Sequence, residues 1–151
     1  MKTTILICAA LLATPATAED MKMPDLMKQT GATAITDEHI AALNACDWTR
    51  LMAQYPDDVL IVTPGGTWFE GRQAVGALFE GFCKDRADGG FKGATFTAEK
   101  TFAVGDTVTM SWIVTADWLA EPYKGADAYV TKDGLMNAQV TTFDPADMKL
   151  K

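Results

Sequence analysis

The sequence predicts an α+β fold, with helices packed on one face of a curved antiparallel sheet. As far as residue 90, apolar side chains recur at helical spacing in three segments, and a single strand pair interrupts them. From Phe91 onward the apolar period changes to two, and turn residues separate long strands. Segregated helices and antiparallel strands are typical of α+β proteins.

The helical half follows a polar lead-in segment, residues 19–35. Thr36-Asp37 is predicted to form the N-cap of a first helix, because short oxygen-bearing side chains accept hydrogen bonds from the free N–H groups there. Asp47 is predicted to cap a second helix, Trp48 to Tyr55, after a tight corner.

The first strand pair lies between the second and third helices. Val59–Val62 is largely β-branched and predicts a strand, which Pro64-Gly65-Gly66 ends, and Trp68-Phe69 predicts a short return strand. Gly71 then leads into the third helix. Its apolar stripe consists of Ala74, Val75, Leu78, Phe79 and Phe82.

Four strands are predicted in the second half of the chain. They are residues 91–102, 108–118, 126–131 and 135–143, with turns at Gly105-Asp106 and Lys132-Asp133-Gly134. Alternation places Asp127, Tyr129 and Thr131 on one face of the third of these strands. An aspartate on an inward face is costly unless it is paired, so Asp127 is a candidate site residue.

The first 18 residues have the pattern of a secretory signal peptide. Lys2 precedes an apolar run, Ile5–Leu12, and the small residues Ala16 and Ala18 precede the first acidic residues. The apolar run is too short to span a bilayer as a helix. We therefore expect cleavage near Ala18 and a periplasmic or secreted mature protein. The expected divisions are the signal peptide at 1–18, the lead-in segment at 19–35, one domain at 36–145 and a tail at 146–151.

Two cysteines, Cys46 and Cys83, remain after that cleavage. An even count in an exported chain predicts a disulfide, and each of these residues lies near the end of a predicted helix. Neither has a Cys or His partner at metal-ligand spacing, so no metal site is expected.

The chain is acidic, with a formal net charge of −7. An acidic surface repels phosphate backbones and anionic lipid, so neither nucleic-acid nor membrane partners are expected. The sequence contains no phosphate-binding loop, serine-nucleophile motif or histidine–carboxylate metal motif. We therefore expect no cofactor.

Four sequence segments, in this order, resemble segments of one known superfamily. They are A-A-L-N-A-C-D-W at 41–48, Y-P-D-D-V at 55–59, T-P-G-G-T at 63–67 and E-G-R-Q-A-V-G-A-L-F at 70–79. Over residues 36–143 the chain resembles the nuclear transport factor 2-like superfamily, in particular its SnoaL-like and ketosteroid-isomerase-like members. The resemblance implies a cone, in which the bent sheet wraps a helix and encloses a pocket open at one end, and it implies frequent homodimers. The resemblance leaves the function open, because this fold is found in isomerases, dehydratases, cyclases and hydrolases and also in non-catalytic proteins.

The isomerase branch provides a comparison at three positions. His39 stands where that motif has a tyrosine, and Thr63 stands where it has the carboxylate base. Asp127 matches a carboxylic acid that is held neutral and helps to bind the oxyanion. A threonine hydroxyl cannot abstract a carbon-bound proton at neutral pH without its own activating base. The resemblance therefore implies His39 and Asp127 as catalytic candidates and disfavours steroid isomerisation.

His39 has two interpretations. It is either a half-exposed polar residue in the first turn of its helix, or a site residue that shares a helix face with Leu43 and Cys46 and points into the cone. The helix N-terminus would disfavour a cationic imidazole. A neutral His39 and a protonated Asp127 could then give two hydrogen bonds to one ligand oxygen.

Further side chains are candidates for contact with a ligand. Trp68 lies near the expected mouth of the cone, and Tyr129 shares the face of Asp127. On the last strand Asn137 and Gln139 would belong to a neutral polar wall, although an exposed sheet face would give the same pattern. The full set of candidate binding residues is Thr63, Trp68, Phe79, Tyr129, Asn137 and Gln139.

Two functions remain open. The first is an enzyme of isomerase, dehydratase or hydrolase type that acts on a small, largely apolar molecule through His39 and Asp127. The second is a non-catalytic ligand-binding or dimeric assembly module on the same fold. If the polar wall faces inward, Met136, Ala138 and Val140 face outward, and an exposed apolar patch of this kind predicts a homodimer interface.

Overall fold

The computed structural model of the protein describes residues 21–151. The expected signal peptide, residues 1–18, lies outside the described residues. The helices are α1 (Ala32–Asn44), α2 (Trp48–Met52) and α3 (Arg72–Phe82). The strands are β1 (Leu60–Thr63), β2 (Thr67–Glu70), β3 (Thr95–Val104), β4 (Thr107–Thr115), β5 (Tyr123–Lys132) and β6 (Leu135–Thr141).

The six strands form one curved, unclosed sheet in the order β2-β1-β6-β5-β4-β3. Neighbouring strands are antiparallel except for β1 and β6, which pair in parallel. The sheet is therefore mixed, and the expectation of a wholly antiparallel sheet is wrong at this one pair. A parallel pair needs a long crossover, and the chain from β2 through β5 supplies it. Helix α1 packs across β3 to β6, and α3 packs against α2 and β2, which confirms the α+β class.

Helix α1 begins at Ala32, ahead of the predicted cap. Gly31 occupies the N-cap position with a φ of 92°, a conformation that glycine adopts without steric cost. The hydroxyl of Thr36 donates to the carbonyl of Thr33 inside the helix, at 2.9 Å. The predicted N-cap at Thr36-Asp37 is therefore wrong, and His39 lies in the middle of α1 rather than in its first turn.

The predicted cap of α2 is confirmed. The carboxylate of Asp47 accepts a hydrogen bond from the backbone N–H of Arg50 at 3.0 Å. The Arg50 guanidinium in turn makes two hydrogen bonds of 2.8 Å with Glu38 of α1, which fixes the corner between the helices. Helix α2 ends at Met52, so the predicted extension of this helix to Tyr55 is wrong. Tyr55 lies in the following turn with its side chain fully buried.

Strand β6 contains a bulge that changes which of its residues face the core. The register shifts between the pairs Val130–Ala138 and Thr131–Met136, so Asn137 has no partner on β5. One extra residue reverses the alternation of side chains beyond it. Met136 therefore faces inward and is completely buried, and the prediction that it faces outward is wrong.

Arg72 holds the lead-in segment in place. Its buried guanidinium donates through Nη2 to the carbonyls of Pro24 and Met52, both at 2.6 Å, and through Nε to Met52 at 3.1 Å. The backbone N–H of Met27 also donates to the carbonyl of Ala53 at 2.8 Å. These bonds tie the residues before α1 to the end of α2.

Replacing Gly125 with alanine is expected to destabilise the fold by about 1–3 kcal/mol, as overpacking of a core usually does. Gly125 on β5 lies opposite Trp112 on β4, and an added Cβ would lie 2.5 Å from Trp112 Cζ2 and 2.6 Å from Thr142 Oγ1. Urea denaturation followed by circular dichroism measures the change. Gly81→Ala is the matched control, because nothing lies within 4 Å of its added Cβ and alanine favours the helix by roughly 1 kcal/mol. Equal stabilities for the two variants would contradict the close packing of Trp112 on Gly125.

Candidate functional site

A small cavity, called here the inner chamber, lies between α1, α3 and the concave face of the sheet. Its volume is about 70 Å³. Its polar lining consists of His39, Thr63, Asp127, Gln139 and Thr141. Its apolar lining includes Leu43, Ile61, Phe79 and Phe96. The chamber therefore combines apolar walls with one polar cluster.

A larger space, called here the outer cleft, opens to the surface beside the end of α3. Its volume is about 520 Å³. Thr63, Leu78, Phe82 and Phe143 line both spaces, so the two spaces adjoin at these four side chains, which are called here the passage. The rings of Phe82 and Phe143 lie with their centroids 5.7 Å apart. The structure thus contains an internal chamber next to an open surface cleft.

Asp127 provides the carboxyl group of the chamber. It lies on β5 with 9% of its surface exposed. Its Oδ2 atom accepts hydrogen bonds from the Tyr129 hydroxyl at 2.7 Å and from Gln139 Nε2 at 3.1 Å. Its buried Oδ1 atom makes no hydrogen bond of ordinary geometry among the described residues, and neither does the buried indole N–H of Trp112, which lies near the carboxyl together with Thr141. Burial raises the pKa of Asp127 above its ordinary value, and the polar groups around the carboxyl act in the opposite direction with smaller effect.

His39 faces the chamber from the middle of α1, with 1% of its surface exposed. Its Nδ1 atom lies 3.2 Å from the hydroxyl of Tyr55. Edge-to-face contacts with Phe79 and Tyr129 hold the ring, at centroid distances of 5.8 Å and 5.7 Å. Burial lowers the pKa of His39 to about 4. The imidazole is therefore neutral at pH 7, because it is desolvated and not because it lies at a helix N-terminus.

Tyr55 is the site residue that the sequence did not reveal. Its hydroxyl donates to Gln139 Oε1 at 3.4 Å and also contacts His39 Nδ1. It thereby joins His39 to Gln139 and Asp127 in one buried hydrogen-bonded chain. A buried tyrosine hydroxyl needs a partner, but only the fold shows which partner it has.

The structure brings together most of the predicted site residues. His39, Thr63, Phe79, Asp127 and Gln139 line the inner chamber. Tyr129 does not line the chamber, but its hydroxyl donates a hydrogen bond to the Asp127 carboxyl.

Two predicted binding residues lie elsewhere. Trp68 is 59% exposed on the outer face of the sheet, because Phe69 beside it points to the outer cleft and neighbours in a strand face opposite ways. Asn137 lies in the β6 bulge and does not line the chamber. The predicted roles of Trp68 and Asn137 in ligand contact are not supported by these positions.

Cys46 and Cys83 are neighbouring, half-buried free thiols in the structure, and not the expected disulfide. Burial raises the pKa of the Cys83 thiol to about 12, and the interaction of this thiol with the Cys46 side chain acts in the same direction. The fold therefore brings the end of α1 and the end of α3 together at these two residues. A disulfide between them in the exported protein stays a prediction.

Residues 21–151 contain no cluster of three or more His, Cys, Asp or Glu side chains that could hold a metal ion. Among the same residues, no helix has the length and apolar character needed to cross a membrane.

Comparison with known sequences finds one family match. A family model described as a SnoaL-like domain matches residues 36–142. A search of curated proteins finds no match.

Solved structures share the fold at low sequence identity. An NTF2-like protein of unknown function from Cytophaga hutchinsonii is 16% identical, with a TM-score of 0.62 over 80% of this chain and 96% of that one. RV0760c from Mycobacterium tuberculosis, in complex with estradiol-17β-hemisuccinate, is 22% identical, with a TM-score of 0.63 over 80% of this chain and 99% of that one. An LEH-like epoxide hydrolase of M. tuberculosis is 19% identical, with a TM-score of 0.59 over 78% of this chain and 85% of that one.

Replacing His39 with glutamine is expected to weaken the pH dependence of stability. The pKa of about 4 in the folded protein lies below the ordinary value of 6.5, so the unfolded chain binds the proton more tightly. The stabilising contribution of the neutral imidazole is complete above the unfolded pKa and is lost as the pH falls toward the folded pKa. Between about pH 7.5 and pH 4.5 the native protein should lose roughly 2–3 kcal/mol through this group. Urea denaturation at both pH values measures the loss.

The raised pKa of Asp127 acts in the opposite direction, since a protonated carboxyl in the folded state stabilises it at low pH. The difference between the native protein and His39→Gln isolates the imidazole from this effect. The same pH dependence in both proteins would contradict a buried, neutral His39.

Proposed function

The chain belongs to the SnoaL-like family of the nuclear transport factor 2-like superfamily, and on that premise we propose that its inner chamber binds a small, largely apolar molecule through an oxygen atom of that molecule. The outer cleft would hold the part of the ligand that the chamber cannot enclose.

The polar cluster of the inner chamber carries this proposal. His39, Thr63, Asp127, Gln139 and Thr141 converge on a cavity whose other walls are apolar. Buried polar groups are normally hydrogen-bonded, and a ligand oxygen in the chamber can bind to this cluster.

The other walls favour an apolar ligand. Leu43, Ile61, Phe79 and Phe96 surround the polar cluster, and ligand sites of this kind use a few polar groups to orient a mainly apolar molecule. A chamber of about 70 Å³ is small, whereas the outer cleft of about 520 Å³ accommodates a larger body. The steroid ester bound to RV0760c supports a ligand with apolar rings.

The site favours binding over proton abstraction. Thr63 carries no carboxylate, and a His39 pKa of about 4 makes the imidazole a weak base at neutral pH, because general bases work best with a pKa near the operating pH. Asp127 holds a proton more readily than an ordinary aspartate and can act as an acid. A dehydratase or hydrolase is therefore the second candidate, and the similarity to an epoxide hydrolase supports it.

Export of the protein is part of the proposal. Lys2 and the apolar run Ile5–Leu12 support a signal peptide that is removed near Ala18. The protein would then bind its ligand in the periplasm or outside the cell.

The proposed assembly is a homodimer through the outer face of the sheet. The strand registers place one uncharged row side by side across all six strands: Trp68, Val62, Val140, Ala128, Thr109 and Phe102. Within that row Trp68, Val140 and Phe102 are 59%, 53% and 64% exposed. Contiguous exposed apolar patches mark interaction sites. Because the row carries no charge, a second copy of the same face can pair with it by two-fold symmetry.

Blocking the passage is expected to abolish ligand binding. The probe is cyclohexanone, an apolar ring with a single oxygen, for which an affinity on the order of 1 mM is expected from its size. Leu78→Trp places a larger ring at the passage, where Leu78 is half-buried, and should weaken binding at least about tenfold. NMR titration of the ¹⁵N-labelled protein measures the affinity.

Glu80→Trp is the matched control, because Glu80 lies on the same helix, is exposed and lines neither space. It should bind cyclohexanone like the native protein. Unchanged binding by Leu78→Trp, or no binding by the native protein, would contradict the chamber as a ligand site.

Val140→Lys is expected to convert the dimer to a monomer, because a charged side chain in the centre of the apolar row would be desolvated on pairing. Sedimentation velocity at micromolar concentration measures the mass. Ala41→Lys, on the exposed side of α1, is the control and should stay dimeric. A native protein that sediments as a monomer would overturn the proposed interface.

A further inference from the structure

We propose that Tyr55 and Gln139 fix the hydrogen-bond polarity of the inner chamber, so that His39 accepts a hydrogen bond from the ligand. The chamber then selects apolar molecules that carry a hydroxyl group. This inference rests on the proposed function, and it makes Tyr55 a positioning residue.

The Gln139 amide sets the direction of the hydrogen-bonded chain. Its Nε2 atom donates to Asp127 Oδ2 at 3.1 Å, and the Tyr129 hydroxyl donates to the same oxygen at 2.7 Å. With Nε2 directed at Asp127, the amide oxygen Oε1 faces Tyr55. A carbonyl oxygen can only accept, so Tyr55 must be the donor in this contact.

The single proton of the Tyr55 hydroxyl then decides the tautomer of His39. The hydroxyl lies 3.4 Å from Gln139 Oε1 and 3.2 Å from His39 Nδ1. If its proton is donated to Gln139, the tyrosine oxygen accepts the N–H of His39 Nδ1, and all the atoms in these contacts are satisfied. If the proton were donated to His39, the buried Gln139 Oε1 would lose its donor at a cost of about 1–3 kcal/mol.

His39 therefore carries its proton on Nδ1. Its Nε2 atom has no hydrogen-bond partner within residues 21–151 and keeps a free lone pair. Because His39 lines the inner chamber, this nitrogen is the acceptor that the chamber offers.

Asp127 holds the Gln139 amide in this direction. Its Oδ2 atom accepts from both Gln139 Nε2 and the Tyr129 hydroxyl. The Oδ1 atom is fully buried, and Trp112 and Thr141 lie near the carboxyl.

The opposite direction of these hydrogen bonds is possible only when Asp127 is protonated. It would require the Gln139 amide to turn over and Asp127 Oδ2 to donate to it, which an ionised carboxylate cannot do. The direction described above suits both states of Asp127, because Oδ2 accepts in each.

This polarity differs from the expectation that His39 and Asp127 donate together to one ligand oxygen. A nitrogen with a free lone pair repels a carbonyl oxygen and attracts a hydroxyl. The hydrogen-bonding groups of the chamber therefore match a hydroxy-ketone better than a simple ketone.

The tautomer is directly measurable, because His39 is the one histidine of the chain. In protein labelled with ¹⁵N in the imidazole, the ligand-free native state at neutral pH should show a pyrrole-type shift for Nδ1 and a pyridine-type shift for Nε2. A pyridine-type Nδ1 would overturn the proposal. This readout is independent of ligand binding, so it distinguishes failure of the polarity from failure of the proposed function.

Tyr55→Phe should shift His39 toward the Nε2–H tautomer, because the N–H of Nδ1 loses its acceptor. Tyr129→Phe is the matched control, since it removes a buried hydroxyl that donates to Asp127 and not to His39 Nδ1. It should leave the tautomer unchanged. An unchanged tautomer in folded Tyr55→Phe would refute the positioning role of Tyr55.

The ligand class is tested with four probes: cyclohexanone, its 2-hydroxy and 4-hydroxy derivatives, and 2-methoxycyclohexanone. At least one hydroxy-ketone should bind the native protein about three- to tenfold more tightly than cyclohexanone, because it makes one additional hydrogen bond. The methoxy compound should bind no more tightly than cyclohexanone. Tyr55→Phe should lose this preference, because its His39 Nε2 then carries the proton and no longer accepts a hydrogen bond from the ligand. Equal affinity of the native protein for hydroxy and methoxy compounds would overturn the inferred ligand class.

Discussion

The buried carboxyl of Asp127 is the constraint on which the rest of the site depends. A carboxyl on the concave face of a sheet loses its hydration and needs hydrogen-bond donors from the protein. Tyr129 supplies one from the same strand, and Gln139 supplies another from β6. The register that pairs Tyr129 with Gln139 makes this possible. Both donors bind the same oxygen, Oδ2, and so the carboxyl links β5 to β6 at the floor of the chamber.

The position of the β6 bulge preserves this arrangement. Beyond Gln139 the extra residue Asn137 reverses the alternation, so Met136 returns to the core. Strand β6 therefore presents polar groups to the chamber at one end and closes the core with an apolar side chain at the other. Bulges commonly re-aim side chains near functional sites, and here the effect is to separate the polar cluster from the packed interior.

Aromatic packing gives the polar chain its fixed geometry. His39 meets Tyr55, Phe79 and Tyr129 edge to face, with ring centroids 6.0 Å, 5.8 Å and 5.7 Å away. Rings packed in this way have little rotational freedom, so the hydrogen bonds between them cost less entropy to form. The structures of similar fold are under a quarter identical to this chain. The fold is shared with them, but function has to be argued from this local arrangement.

The sequence by itself determined the features that depend on neighbours along the chain. Alternation in β5 placed Asp127 and Tyr129 on one face, and Asp47 marked the start of α2, because strand period and helix caps are local properties. Sequence segments such as A-A-L-N-A-C-D-W also indicated the family, and the family resemblance indicated His39 and Asp127 as candidate site residues. These local signals were sufficient for the α+β class and for four of the five polar residues that line the chamber, His39, Thr63, Asp127 and Gln139.

The tertiary structure decided what depends on distant parts of the chain. Tyr55 reaches Gln139 across 84 positions of sequence, β1 pairs in parallel with β6, and Trp68 faces away from the pocket. The neutral state of His39 follows from its burial in the middle of α1, which no local pattern specifies. Desolvation and hydrogen-bond partners are properties of all the elements packed around a group, and so the polarity of the site is determined only when the chain has folded.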